Sequence, residues 1–302
     1  MEEDVALTEN VFYVVDVFAE EKYAGNQLAV FTQGHLYSDD EMQKLAKEMN
    51  YSESTFIFER ESSGNTFKVR IFTPEEEVPF AGHPTLGTAY IIVKEILKSP
   101  VPEVVLDLKV GKIPVSIAYD EAGEVKTLTM KQVQPVFGAG LDAKTAAEIL
   151  TVPAEEIDDR FPVQEVSTGL PFLIVPLKTL QGIKSVKVNQ EKFSQVFDRL
   201  TARAIMVFCP ETYEEKNTLN ARVFVEYYGI PEDPATGSAN GCLTGYLLKY
   251  NYFNSRQIDI TVEQGYEINR KSILRLSGSM EEEKINIFVG GRVIPVFKGQ
   301  LV

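Results

Sequence analysis

Phe80-Ala81-Gly82-His83-Pro84-Thr85-Leu86-Gly87 leads without a break into the apolar run Thr88-Ala89-Tyr90-Ile91-Ile92-Val93. Far downstream, Glu232-Asp233-Pro234-Ala235-Thr236-Gly237-Ser238-Ala239 leads likewise into Cys242-Leu243-Thr244-Gly245-Tyr246-Leu247-Leu248. Each is a glycine-containing turn that opens a helix. Such a turn leaves backbone N–H groups unpaired at the positive end of the helix dipole, a ready seat for a carboxylate or phosphate. Two such seats, half a chain apart, point to a duplicated protein with its ligand between the halves.

Other residues support the duplication. Val69-Arg70-Ile71-Phe72 precedes the first turn and Ala221-Arg222-Val223-Phe224 the second. Further upstream, Ala24-Gly25-Asn26-Gln27-Leu28-Ala29-Val30-Phe31 resembles Thr168-Gly169-Leu170-Pro171-Phe172-Leu173-Ile174-Val175. Between them, Thr55-Phe56-Ile57-Phe58 answers to Ile205-Met206-Val207-Phe208. The same order at so long a period reads as two related domains rather than a solenoid or propeller. The division is placed at 1–124 and 125–302, with a return of the last strand to the first domain left open.

Composition narrows the function. A chain of 302 residues, 44% hydrophobic and 25% charged, is globular and long enough for two cores. Only Met1 to Asn10, with its cluster of three acids, looks loose. No apolar run approaches the roughly 18–20 residues that span a bilayer, and the start lacks a basic-then-apolar signal pattern. Cys209 and Cys242, both in apolar surroundings, read as reduced thiols of a cytoplasmic protein. A net charge of −14 opposes general attraction to nucleic acid or anionic membranes, so an anionic substrate must rely on local donors. With only His35 and His83 there is no metal-ligand pattern, and neither a P-loop nor a dinucleotide fingerprint occurs. No metal and no cofactor are expected.

Along the chain, Val11 to Phe18 and Leu28 to Phe31 read as strands. Ser38-Asp39-Asp40-Glu41 is a capping box, followed by an apolar face at Met42, Leu45, Ala46 and Met49 and a stop at Asn50. Thr55 to Phe58 and Phe67 to Phe72 are strands before the first turn. Pro84 starts the helix that follows, where a missing N–H costs nothing. That helix is apolar on more than one face and should be largely surrounded by sheet. Val104 to Val110 and Ile113 to Tyr119 form a strand pair turned at Gly111, and Asp120 to Gln134 crosses into the second half. There a capped helix from Asp142, a helix around Gln190 to Leu200, and strands to Val225 precede the second turn. Ile258 to Val262, Ile273 to Ser277 and Ile285 to Val296 supply late strands. The fold class is α+β: two similar domains, each a barrel-like sheet curled around one central helix.

Four residues could carry proton chemistry. Glu53 lies in a helix–strand loop between Ser52 and Ser54, where a carboxylate is normally solvated but moves protons if partly desolvated. His83 sits at the mouth of the first helix, as a cap or as a substrate-holding or relaying group. Asp233 and Ser238 are ordinary turn and cap residues at the second. Converging on two facing helix starts, the four would make a site able to transfer protons.

Tyr51-Ser52-Glu53-Ser54-Thr55-Phe56, Arg70-Ile71-Phe72-Thr73-Pro74, Pro79 to Gly87 and Glu232 to Ala239 resemble the signature segments of the phenazine-biosynthesis, PhzF-like family. Asp16, Phe18 and Ala24-Gly25-Asn26 resemble its N-terminal segment, and the likeness runs from about residue 11 to the end. The resemblance implies the fold of diaminopimelate epimerases and proline racemases, with the active site in the cleft between domains. It implies a cofactor-independent isomerase and a homodimer. In the family's characterised members a glutamate moves a proton along a dihydro-hydroxyanthranilate, aided by His, Asp and Ser. By motif these are Glu53, His83, Asp233 and Ser238, with Asn26, Gly82, Thr236 and Gly237 as substrate-binding residues. The related epimerases place a cysteine at each helix mouth, and neither mouth has one here, which disfavours a two-thiol racemase. Gln27 stands where the family usually has proline, a change expected to loosen a loop at the cleft rim.

The leading expectation is therefore a cytoplasmic isomerase acting on a small anionic metabolite. The alternatives are an epimerase or racemase using Glu53 and Asp233 from opposite faces, and a non-catalytic metabolite-binding protein.

Overall fold

The computed structural model describes residues 10–61 and 64–302. Of the segment Met1 to Asn10 read as loose, all but Asn10 lies outside the described residues. The first half contributes β1 (Val11–Val17), β2 (Asn26–Phe31), β3 (Glu53–Arg60), β4 (Thr66–Phe72), β5 (Glu77–Val78), β6 (Glu103–Leu108), β7 (Gly111–Tyr119) and β8 (Val125–Lys131). Next come β9 (Val136–Leu141), β10 (Val163–Ser167), β11 (Pro171–Pro176), β12 (Ala204–Cys209) and β13 (Leu219–Val225). The chain ends with β14 (Ile230–Asp233), β15 (Gln257–Gln264), β16 (Ser272–Glu281), β17 (Lys284–Gly291) and β18 (Val293–Gln300). The α-helices are α1 (Asp39–Met49), α2 (Gly82–Ile91), α3 (Ala143–Leu150), α4 (Leu180–Ser185), α5 (Gln190–Ser194) and α6 (Gly237–Lys249).

Strand pairing runs β18-β1-β2-β3-β4-β6-β7-β8 around α2. It runs β9-β10-β11-β12-β13-β15-β16-β17 around α6. The two ribbons repeat each other strand for strand. β2–β3 and β11–β12 are both parallel, as are β4–β6 and β13–β15. Short β5 and β14 pair antiparallel to β4 and β13 in the same place. An antiparallel pair of β8 with β17 joins the halves, while β18 returns to β1 over Val11↔Gln300 to Val17↔Val293. A cut at 124/125 would fall between β7 and β8.

Each central helix is enclosed because its sequence offers no polar face to water. Every residue of α2 is buried. Its polar side chains bond locally, Thr85 Oγ1 donating to Ala81 O at 2.7 Å and Thr88 Oγ1 lying 2.8 Å from Thr55 Oγ1. Gly87 is required by contact, since a Cβ there would lie 2.6 Å from Leu28 on β2. In α6, Thr244 donates to Asn240 O and Tyr246 to Pro162 O.

The capping box of α1 forms as the sequence predicts, with Asn50 left-handed at φ 53°. Asp142 caps α3. Four local readings change. The β6–β7 turn is at Lys109–Val110, and Gly111, at φ 119°, already belongs to β7. The stretch Ile285 to Val296 is two strands broken at Arg292. The predicted helix from Gln190 ends at Ser194, and α4 precedes it under a Thr179 cap. Much of the stretch from Asp120 to Gln134, read as a crossing, is strand β8. No helix among the described residues is long and apolar enough to cross a membrane.

A duplicated bracket fixes the chain ahead of each central helix. Arg70 on β4 grips Glu77 on β5 with two bonds of 2.9 Å; Arg222 on β13 grips Glu232 on β14 with bonds of 2.9 and 2.7 Å. The remaining Arg222 nitrogen donates to the carbonyls of Ile183 and Val186 around α4.

Candidate active site

Glu53 is the first residue of β3, opposite Leu28 of β2, and not a loop residue as expected. Side chains alternate along a strand, so Glu53 shares the α2 side with Thr55, which touches Thr88. Its Oε2 is buried, has no hydrogen-bond partner among the described residues, and lies 3.5 Å from Nε2 of His83. That nitrogen also lies 3.3 Å from the carbonyl of Gln27. A carbonyl only accepts, so Nε2 carries the proton of a neutral ring. Burial agrees, pushing His83 down to about 3. Burial, with the charge of Asp233 second, pushes Glu53 up to about 8. At neutral pH the two face each other as an uncharged donor and a mostly protonated acid rather than an ion pair. Gln27 lies in β2, opposite Asp16, and loosens no loop.

Asp233 ends β14 and is 8% exposed. One oxygen accepts from Asn26 Nδ2 at 2.9 Å and the other from the Thr236 hydroxyl at 2.5 Å. Burial pushes Asp233 up to about 6, those two bonds restrain the rise, and Glu232 adds to it. Gln264 locks the turn, donating to Asp233 O at 2.8 Å while its oxygen accepts from Asn240 at 2.9 Å. Asn26 comes from the other half and is aimed by Arg270, which bonds the carbonyls of Gly25 and Ala24 and the carboxylate of Asp16. The bond between Asn26 and Asp233 thus ties the halves together at the site.

Both central helices start without a side-chain cap. Thr236 occupies the cap position of α6, but its hydroxyl is spent on Asp233, and Ser238, expected as a cap, lies inside the first turn. Pro84 is the third residue of α2, still where no N–H is needed. The starts meet face to face: a Cβ on Gly82 would lie 3.3 Å from Gly237 Cα and 3.5 Å from Ser238 N. The first turns of α2 and α6, with the amides of Gly82, His83, Gly237 and Ser238, therefore meet, in a contact that a side chain at Gly82 would crowd. The Ser238 side chain is partly exposed, and its hydroxyl bonds none of the described residues.

All eight predicted residues fall at this junction of the halves. Sequence reasoning missed Gln264 and Arg270, which orient Asp233 and Asn26, and Met130, whose Cε lies 3.1 Å from the Cβ position of Gly82. Cys242 is fully buried and burial pushes its thiol up to about 11, so no thiolate is at hand.

Residues 15–299 match the family model described as phenazine biosynthesis-like protein. The trans-2,3-dihydro-3-hydroxyanthranilate isomerase of Pseudomonas aeruginosa is 31% identical, over 86% of this chain and 87% of its own. The crystal structure of a PhzF-family phenazine biosynthesis protein from Bacillus anthracis superposes with a TM-score of 0.88 at 27% identity, covering 98% of this chain and 100% of that one. A probable proline racemase from Agrobacterium radiobacter, at 9% identity and a TM-score of 0.62, covers 97% of this chain and 92% of its own and shares the fold. By the extent of the family match, this chain belongs to the phenazine biosynthesis-like family.

Proposed function

We propose that the protein is a cofactor-independent isomerase that moves a proton on a small carboxylate-bearing metabolite, with Glu53 as the acid–base group. One oxygen carries the reading. Oε2 of Glu53 is buried and unpaired, beside a neutral imidazole, where two uncapped helix starts meet. Leaving a polar atom so is costly unless a ligand completes it. At about 8, Glu53 gives and regains its proton near neutral pH, as a group that takes a proton from one carbon and returns it to another must. The substrate carboxylate would rest on the amides of Gly82, His83, Gly237 and Ser238, which attract it locally against a net charge of −14. Nε2 of His83 would turn its one proton from the Gln27 carbonyl to the substrate, and Asn26 and Thr236 would hold Asp233 in place. The name of the Pseudomonas relative makes a hydroxylated ring acid the first candidate substrate. A homodimer is proposed with this reading from the family resemblance, and a cytoplasmic setting from Cys209 and Cys242 read as reduced thiols.

One observation favours an epimerase instead: two carboxyls from opposite halves have their pKa values held apart, at about 8 and about 6. Against it, both oxygens of Asp233 are already engaged. A binding protein without turnover would have no use for the unpaired acid.

The test is carried out in deuterated water with candidate acids including trans-2,3-dihydro-3-hydroxyanthranilate. Wild type should place deuterium on a product carbon, and Glu53→Gln should bind the acid yet turn over about 10²–10⁴-fold more slowly. Equal exchange in both proteins would remove Glu53 from the chemistry. Interconversion of mirror-image products would favour the epimerase.

A further inference from the structure

Gln132 follows β8 on the segment that crosses between the halves, its backbone N–H donating to Ile287 O at 2.9 Å. Two residues earlier, Met130 seals the meeting point of the helices, its Cε 3.1 and 3.5 Å from the Cβ positions that Gly82 and Gly237 leave empty. Gln132 sits one turn further along α6. A Cβ on Gly241 would lie 3.1 Å from its Cγ, 3.3 Å from its Oε1, and 3.1 Å from Thr168 Oγ1. Thr168 in turn donates to the carbonyl of Ser238, so the Gln132 amide lies among the groups that support the first turn of α6.

Gln132 is only 7% exposed, and its Nε2 is buried with no acceptor among the described residues. Two local losses coincide here: a glycine within a helix, and an unpaired donor in the interior. Alanine at 241 with an apolar side chain at 132 would relieve both. Sequences keep such breaches where function uses them.

We infer that Gln132 is a specificity-determining donor of the site, whose Nε2 hydrogen-bonds an oxygen substituent of the bound acid other than the carboxylate at the helix starts. The inference rests on the function proposed above and gives the second oxygen group of such an acid its partner on this chain. The oxygen completes the orphaned amide, and an acid without it leaves that amide unpaired. A site built around a donor discriminates in this way against ligands lacking the acceptor.

Gln132→Met keeps the length of the side chain and removes the donor. Calorimetry with benzoate and with the 2- and 3-hydroxybenzoates, alongside thermal unfolding, tests the assignment. Wild type should bind one hydroxybenzoate about tenfold more tightly than benzoate. Gln132→Met should lose that preference, keep its affinity for benzoate, and melt no lower than wild type. A lower melting temperature would mean that the amide serves the fold. That result, no preference in wild type, or a preference surviving in the variant would overturn the assignment. Glu53→Gln should retain the preference, so exchange in that variant tests the isomerase reading separately.

Discussion

Replacing Glu53 with glutamine should alter how stability depends on pH, with no substrate needed. Folding moves this carboxyl from 4.5 to about 8, mainly by desolvation, with Asp233 adding to the rise. Between those values the folded protein holds a proton that the unfolded chain has released. The stabilisation is therefore full below about pH 4.5, shrinks as pH rises, and is gone above about 8. At about 1.4 kcal/mol per pH unit, the loss is about 3 kcal/mol by pH 7 and about 5 kcal/mol above pH 8. The side chain is 18% exposed, and water recovers part of that cost. Glutamine has the same shape and no charge, so Glu53→Gln should match wild type at pH 4.5 and exceed it by up to those amounts at higher pH. His83 and Asp233 titrate in both proteins and largely cancel in the difference. The chain has no tryptophan, so urea unfolding is best followed by far-ultraviolet circular dichroism from pH 4.5 to 9. A stability difference that stays flat across this range would refute the buried, proton-holding Glu53 and the mechanism built on it.

The rate profile should follow the same group: kcat/KM should rise with pH through about 8, and the limb should move to lower pH in Asp233→Asn, which removes a charge that raises Glu53. An unmoved limb would show that the two carboxyls do not sense each other. Gly82→Ala puts a methyl 3.3 Å from Gly237 Cα, so it should destabilise by about 1–3 kcal/mol and weaken acetate binding; unchanged calorimetric affinity would contradict the shared anion seat. Cys209 and Cys242, pushed by burial up to about 12 and about 11, should resist iodoacetamide in the folded protein and react fully in urea. Rapid labelling of either by mass spectrometry would be the contrary result.

Much of the site could be read locally because its parts are short and punctuated. Gly82 and Gly237 mark helix starts, and the paired Arg70 and Arg222 lie at matching points of the repeat, where each grips its own glutamate. What stayed hidden depends on partners far away in sequence. Asn26 and Asp233 are 207 residues apart, and nothing around either one announces the other. Glu53 reads as a loop residue because small polar neighbours surround it; pairing with β2 is what makes it strand. Gln132 resembles any glutamine beside a strand until the absence of an acceptor is seen in three dimensions. The six-residue α4 is too short for a period to show, and Gly182 within it suggests a turn.

The return of β18 to β1 sets an order of events during synthesis. Val11–Val17 emerges from the ribosome long before Val293–Gln300, one of its two strand partners. Until β18 has been made, one edge of β1 is an unpaired, largely apolar template of the kind that recruits other chains. A protein cut before Val293 would keep Glu53, His83, Asp233 and Ser238 and still be exposed to aggregation from β1. A strand made after the whole second half therefore closes the first.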